Sequence, residues 1–223
     1  MITYRPFVFE EIMTESRQGK RFYLTQDGAF PSVTTVLSHA GDNDSLEAWK
    51  KRVGEKEANR ISSIAKRRGT AVHSLLEDYI HGKPVNPSAM PANIATFKQM
   101  KKKLDIHLTE CNGIEIPLYS KQIQVAGRCD AIGVWDGKLS IIDYKTSVKE
   151  KRKEYIESYF LQTSLYAFML KEMKNLDTLP DIAILIGCDE APEAQVFTDQ
   201  ASNYIERALD LVNEYYLKTR IQS

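Results

Sequence analysis

The stretch that decides the fold is Gly127-Arg128-Cys129-Asp130-Ala131-Ile132-Gly133-Val134-Trp135, then Asp136-Gly137, then Lys138-Leu139-Ser140-Ile141-Ile142-Asp143-Tyr144-Lys145-Thr146-Ser147. Asp-Gly between two apolar runs is the strongest short-range hairpin signal, a two-residue type I′ loop. Such a loop pairs Trp135 with Lys138. Stepping back along the arms sets Asp130 opposite Asp143 and Arg128 opposite Lys145, provided no bulge intervenes. Alternation places these four on one face, with Ile132, Val134, Leu139 and Ile141 continuing it toward the turn. Like charges directly opposed across a hairpin destabilise it, and a divalent cation between the two carboxylates would turn that repulsion into binding. Taken singly, either aspartate would suit a solvated strand end; opposed on an otherwise apolar face, they read as a metal site.

At 223 residues the chain is long enough for a sizeable core, as one large domain or one domain with a smaller cap. Its 43% hydrophobic and 27% charged content is ordinary for a soluble globular protein. No apolar run approaches a membrane span, and Met1-Ile2-Thr3-Tyr4-Arg5-Pro6 opens neither a signal peptide nor an Arg-rich transit peptide. No membrane partner is expected, and the expected location is the cytoplasm of a bacterium or phage-infected cell. The three scattered cysteines, Cys111, Cys129 and Cys188, fit a reducing compartment. A formal net charge of zero gives no global basic field for nucleic acid. The clusters Lys66-Arg67-Arg68, Lys101-Lys102-Lys103 and 149–153 suit solvated helix faces or phosphate contacts alike.

Around the hairpin, residues 1–30 read as short strands and turns, with Gln26-Asp27-Gly28 a hairpin loop. Ser32 caps a short helix from Val33 to Ser38; after a loop at 41–44, Asp44 can cap another through Val53. From Glu55 to about His81 the helical period is clear, with Ile61, Ile64, Ala65, Arg68, Val72, Leu75, Leu76, Tyr79 and Ile80 in one stripe. A helix at about 91–106, a strand at 113–121, a helix at 153–174, a buried strand from Asp181 to Gly187 and its short partner at 195–197 follow. Asp199 is expected to cap a closing helix to about Lys218. Helices flanking a mixed sheet make this an α/β or α+β chain with an N-terminal helical part.

Lys145 projects on the same face as Asp143, where an ammonium could steady an attacking hydroxide, neutralise a phosphate or simply balance the aspartates. His73 and Glu77, four apart, lie along one edge of the long helix's stripe, as ligands or as polar boundary residues. Gly69 costs roughly 1 kcal/mol against alanine in mid-helix, which suggests close approach of a backbone or ligand. Gln162 and Tyr166 share a helix face and by themselves suit a core rim.

Together these pieces, Arg68-Gly69-Thr70-Ala71-Val72-His73 with Glu77, Gly127-Arg128-Cys129-Asp130, Ile142-Asp143-Tyr144-Lys145-Thr146-Ser147 and Gln162-Thr163-Ser164-Leu165-Tyr166, resemble the RecB-like branch of the PD-(D/E)xK nuclease superfamily. Within it the likeness is nearest to the mitochondrial genome maintenance exonucleases and related phage exonucleases. It runs from Pro31-Ser32-Val33-Thr34-Thr35-Val36-Leu37 through Tyr166. The resemblance implies a restriction-endonuclease-like core: a mixed β-sheet flanked by helices. It implies one nuclease domain over 1–223, with 1–110 an N-terminal part carrying His73 and 111–223 the core. Asp130, Asp143, the Tyr144 carbonyl and His73 would be metal ligands, and Lys145 the catalytic lysine. Gln162 and Tyr166 would contact nucleic acid or steady the lysine, Thr146 and Ser147 would donate to phosphate, and Arg67 and Arg68 would clamp the backbone. Asp143 stands where many members carry Glu, a substitution common in this branch. Relatives with an iron–sulfur cluster use four cysteines, so no iron–sulfur cluster is expected here.

The expectation is therefore a Mg²⁺- or Mn²⁺-dependent DNA exonuclease, since oxygen ligands with one imidazole suit these ions. Its substrate would be single-stranded DNA or DNA with free ends, threaded beneath the N-terminal helices. The alternatives are a structure-selective endonuclease or resolvase on the same site and a non-catalytic DNA-binding subunit.

Overall fold

The computed structural model describes residues 2–40 and 44–221, so residues 41–43 of the loop expected at 41–44 lie outside the described residues, and Asp44 already belongs to a helix. Its centre is a six-stranded mixed sheet in the order β1-β5-β6-β7-β8-β9: Thr3–Tyr4, Leu108–Ser120, Val125–Trp135, Lys138–Ser147, Asp181–Cys188 and Gln195–Gln200. β5, β6 and β7 are antiparallel neighbours, β7 and β8 run parallel, and β9 returns antiparallel. A parallel pair needs a crossover, and here α5, Glu157–Lys174, supplies it. A separate antiparallel sheet of β2, β3 and β4 (Met13–Arg17, Lys20–Thr25, Gly28–Pro31) precedes α1, Val33–Ala40. Ser32 Oγ accepts from the Thr35 N–H at 3.1 Å, the N-cap the sequence predicts.

Both faces of the sheet are buried, which is why β8 reads as an unbroken apolar run. Ile182, Ile184 and Ile186 face α5, α1 and α6 (Ile205–Ile221), beside Phe160, Leu165, Val36 and Leu211. Ala183 and Leu185 face α3 (Glu55–Ile80) and α4 (Pro91–His107), through Val72, Leu76, Phe97 and Met100. No helix among the described residues is long and apolar enough to cross a membrane.

Three expectations are corrected. The stripe on α3 is buried only from Val72 onward apart from Ala58: Ile61 and Ile64 are 38% and 43% exposed, because this half of the helix, next to α2 (Asp44–Val53), runs clear of the sheet. Asp199 lies inside β9 and does not cap α6 directly. It accepts from Gln200 N, Asn203 Nδ2, Tyr204 OH and Lys153 Nζ, ordering the single 3₁₀ turn Ala201–Asn203 that precedes the helix. The helix expected over 153–174 is a 3₁₀ turn at Lys153–Tyr155 and then α5.

Candidate metal and nuclease site

The β6–β7 turn has Asp136 at φ 47° and Gly137 at φ 81°, the paired positive angles of a type I′ loop. It sets the expected register, Trp135 with Lys138 through Ala131 with Ile142. There the ladder ends, and the pairing of Asp130 with Asp143 by simple register does not continue. Instead the Asp130 side chain enters the fork between the strands, where its Oδ2 accepts the Tyr144 N–H at 2.7 Å. Arg128 likewise does not face Lys145; its guanidinium donates to the Glu115 carbonyl oxygen and to Glu11.

The cause lies one strand further out. Ile114 pairs with Ala131 and Ile116 with Cys129, so Glu115 and Asp130 share the rung between. Ile114 and Ala131 pack on the α3–α4 side, whereas Ile116 and Cys129 pack on the α5 side. Alternation therefore reverses in both strands at this rung, and Glu115 takes a left-handed backbone, φ 52°, uncommon for a residue with a long side chain. One ligand atom each from His73, Glu115 and Asp130 lie within 4.8 Å of one another. His73 reaches the fork from α3: Nδ1 is 3.5 Å from Asp130 Oδ1, and Nε2 donates to the Tyr144 carbonyl oxygen at 2.9 Å. The Tyr144 ring stands edge-on to the imidazole, 5.7 Å between centroids, and holds it from the side.

Asp143 is 2% exposed and forms an ion pair with Lys145, whose ammonium lies 5.0 Å from the Tyr159 ring centroid. Desolvation pushes the Asp143 carboxyl up to about 6; the Lys145 ammonium pulls against that shift and the Asp130 carboxylate adds to it. Burial pulls Lys145 down, but Asp143 and Asp130 outweigh it and hold the ammonium above its ordinary value. The pair thus keeps its protons to higher pH than free side chains would. Burial also raises the Glu115 carboxyl, with Asp130 adding to the effect. Glu115, Asp130 and Asp143 with an imidazole and a carbonyl oxygen, against one nearby ammonium, form a donor set that fits a hard or borderline divalent cation.

The Asp143 shift has a consequence for stability. Its folded value lies above the unfolded value near 4, so between about pH 4 and 6 the folded chain holds a proton that the unfolded chain has released. This contribution is complete below the unfolded value and is lost as pH rises through about 6, a change on the order of 2–3 kcal/mol. Denaturant unfolding of metal-free protein should show Asp143→Asn gaining on the parent across that window; parallel profiles would count against the buried carboxyl.

The remaining site residues are placed as follows. Tyr166 is buried against Gly127, where a Cβ would meet its Cε1 at 2.6 Å, and Gln162 Nε2 donates to its hydroxyl at 3.4 Å. Tyr166 is thus not presented to a strand, and the ring beside Lys145 is that of Tyr159, which sequence reasoning missed. Ser147 Oγ donates to the Lys149 carbonyl oxygen at 2.6 Å. Thr146 stands beside Gly69, where a Cβ would lie 3.8 Å from its Oγ1, so α3 approaches a side chain and an alanine would fit. Arg67 is exposed. Arg68 is occupied by Asp189 at 2.5 Å and Thr96 at 3.3 Å, tying α3 to α4 and the end of β8, so it is no free clamp. Glu77 lies outside the His73 cluster. Glu115 was also missed, although a lone charge among Ile114, Ile116 and Leu118 marked it.

The family model described as the PD-(D/E)XK nuclease superfamily matches residues 88–217, more than half of the chain. The chain belongs to the PD-(D/E)XK nuclease superfamily. The matched span holds Glu115, Asp130, Asp143 and Lys145; His73 precedes it. The chain is also 26% identical over 213 residues to mitochondrial genome maintenance exonuclease 1 of Xenopus tropicalis, an alignment covering 86% of this chain and 59% of that protein. It therefore spans less than two thirds of that relative's length. Among solved structures, a provisionally named exonuclease from Eubacterium rectale aligns with TM-score 0.48 and 12% identity over 68% of this chain and 65% of that one. SSO0001 aligns with TM-score 0.46 and 13% identity over 83% and 74%.

Proposed function

We propose that this nuclease-superfamily chain is a Mg²⁺- or Mn²⁺-dependent deoxyribonuclease that degrades DNA from an end, with residues 1–223 working as one nuclease domain. The observation that carries the reading is the fork between β6 and β7, where His73 meets Asp130 and the Tyr144 carbonyl while Asp143 pairs with Lys145 on the neighbouring strand. When bound there, a divalent cation supplies charge that polarises the scissile phosphate and acidifies a water. Asp130 and Asp143 hold that charge in place, and His73 must be neutral to join them. Lys145, kept protonated by the two aspartates, neutralises charge developing on the phosphate. Thr146 donates to the phosphate; Gln162 braces Tyr166 against β6 and thereby the backbone before Asp130. Arg67, exposed on the free half of α3, contacts the strand's backbone as it passes beneath the N-terminal helices.

The named activity of the Xenopus relative supports an exonuclease over a structure-selective endonuclease. The intact acidic pair and lysine support an enzyme over a non-catalytic DNA-binding subunit. End-labelled linear and closed circular DNA, single- and double-stranded, incubated with and without Mg²⁺, tests the reading. Cation-dependent loss of linear single strands with circles untouched is expected. Cleavage of circles at a comparable rate would assign the endonuclease, and no cleavage of any substrate under Mg²⁺ or Mn²⁺ would leave the binding subunit.

A further inference from the structure

The N-terminus of α4 is left open. Pro91, its first residue, has no N–H to satisfy, and the Ala92 and Asn93 N–H groups that follow find no acceptor among the described residues and no side-chain cap. Asn93 is only 8% exposed, yet its side-chain amide makes no hydrogen bond among the described residues. An amide so deeply placed costs free energy until something pairs with it. Ala92 and Asn93 line one side of a recess of about 760 Å³ between α3 and the start of α4. Arg67 reaches it from α3, exposed and without an ion pair among the described residues. Arg68 adds a second positive charge, its own bonds already given to Asp189 and Thr96. Asp78, the carboxylate in the lining, is neutralised by Lys83 at 3.1 Å. Free helix N–H groups, an unpaired amide and an unpaired guanidinium around one recess are the donor set of a phosphate site.

The rest of the recess is apolar. Leu75 and Ala89 line it, and Ile64 and Met90, left 43% and 67% exposed, border it. Inorganic phosphate alone would leave that wall bare, whereas a phosphate carried on a flat, largely apolar body would cover it. The volume is ordinary for a small-molecule site. It is also separate from the cleavage centre. Arg67, Ala71, Ser74 and Asp78 repeat along one stripe of α3, roughly a third of a turn round from Gly69 and His73, which face β7.

We propose that this recess seats a nucleotide bearing a terminal phosphate, with the phosphate on the α4 N-terminus between Asn93 and Arg67 and the base against Leu75 and Met90. Its source is a released mononucleotide or the phosphorylated end of a DNA strand. The phosphate seat stands on the residues named; the choice of a nucleotide over other phosphate esters rests on the nuclease reading above. Calorimetric titration of the full chain in chelator, where no cleavage runs, tests it with deoxyadenosine 5′-monophosphate, deoxyadenosine and inorganic phosphate. The monophosphate should bind as one equivalent, at least tenfold more tightly than either fragment. Asn93→Asp sets a carboxylate against the phosphate but suits the first turn of a helix, so it should lose at least tenfold in affinity with no fall in melting temperature. Asn93→Leu, which keeps the size and removes the amide, should lose affinity likewise if the aspartate variant folds poorly. Displacement of the monophosphate by a single-stranded tetranucleotide with a 5′-phosphate, and not by its 5′-hydroxyl counterpart, assigns the strand end as occupant. Displacement by neither assigns the released mononucleotide. No binding of the monophosphate, binding no tighter than a fragment's, parental affinity in a folded Asn93 variant, or equal displacement by the two tetranucleotides overturns the proposal and leaves the cleavage site standing. Asp130→Asn should bind the monophosphate as the parent does; a loss there would move the nucleotide to the fork and overturn it too.

Discussion

Asp130→Asn is expected to lose cleavage on the order of 10³-fold or more while the protein stays folded. The asparagine oxygen can still accept the Tyr144 N–H that Asp130 Oδ2 accepts at 2.7 Å, so the fork between β6 and β7 keeps its shape. What disappears is the charge that, on the proposed reading, would join His73 and Asp143 in holding a cation. Without metal, one fewer carboxylate near the buried Asp143 means thermal stability equal to or above the parent's. With metal the order should reverse: Mn²⁺ at about 100 times its Kd stabilises the parent by about 2.7 kcal/mol by mass action and leaves the variant almost unmoved. Melting curves with and without Mn²⁺, beside a cleavage assay, read both effects. Parental cleavage by Asp130→Asn would remove the site assignment altogether.

That variant also marks how far the sequence could be read. Asp136-Gly137 specifies its turn through local backbone preference, and the register follows for as long as both strands alternate regularly. Alternation fails at Asp130 for a non-local reason: the side chain replaces a rung by bonding Tyr144 N, and the strand beyond it is distorted at Glu115. No periodicity in 127–147 carries that information, because it depends on β5, which pairs on the other side. The same limit applies to Arg68, whose place in a basic run suggests a phosphate clamp until Asp189 arrives from the end of β8. Ile61 and Ile64 continue a helical stripe that the sheet does not extend far enough to cover. The helix period was legible there; the length of its partner surface was not. His73 was legible as a boundary position on α3, but its approach to the Tyr144 carbonyl depends on the packing of Val72 and Leu76 against Phe97, Met100 and Ile142.

Lys145→Ala should cost cleavage on the order of 10²-fold or more while leaving Mn²⁺ binding in place, because the ligands come from its neighbours. Its effect on the fold should depend on pH. Lys145 is the ammonium paired with Asp143, and Asp143 is 2% exposed. Removing one partner of a buried ion pair leaves a carboxylate without compensation, which costs about 3–5 kcal/mol when the charge must remain. Asp143 has an escape, since burial already pushes its carboxyl up to about 6 and loss of the ammonium that pulls against that shift moves it higher. Near pH 4.5 the variant's Asp143 holds its proton and little stability should be lost; above about pH 7 ionisation is forced or its cost is carried by the fold, and the deficit should appear. Mn²⁺ should recover most of it by supplying the missing positive charge. Urea unfolding at the two pH values, with and without Mn²⁺, separates this from a general packing defect, which would lower stability equally at both. Single-turnover cleavage under saturating Mn²⁺ then isolates the lysine's part in the chemistry. A near-parental rate there would reduce Lys145 to a counter-ion of Asp143, and loss of Mn²⁺ binding would place the ammonium among the supports of the metal site.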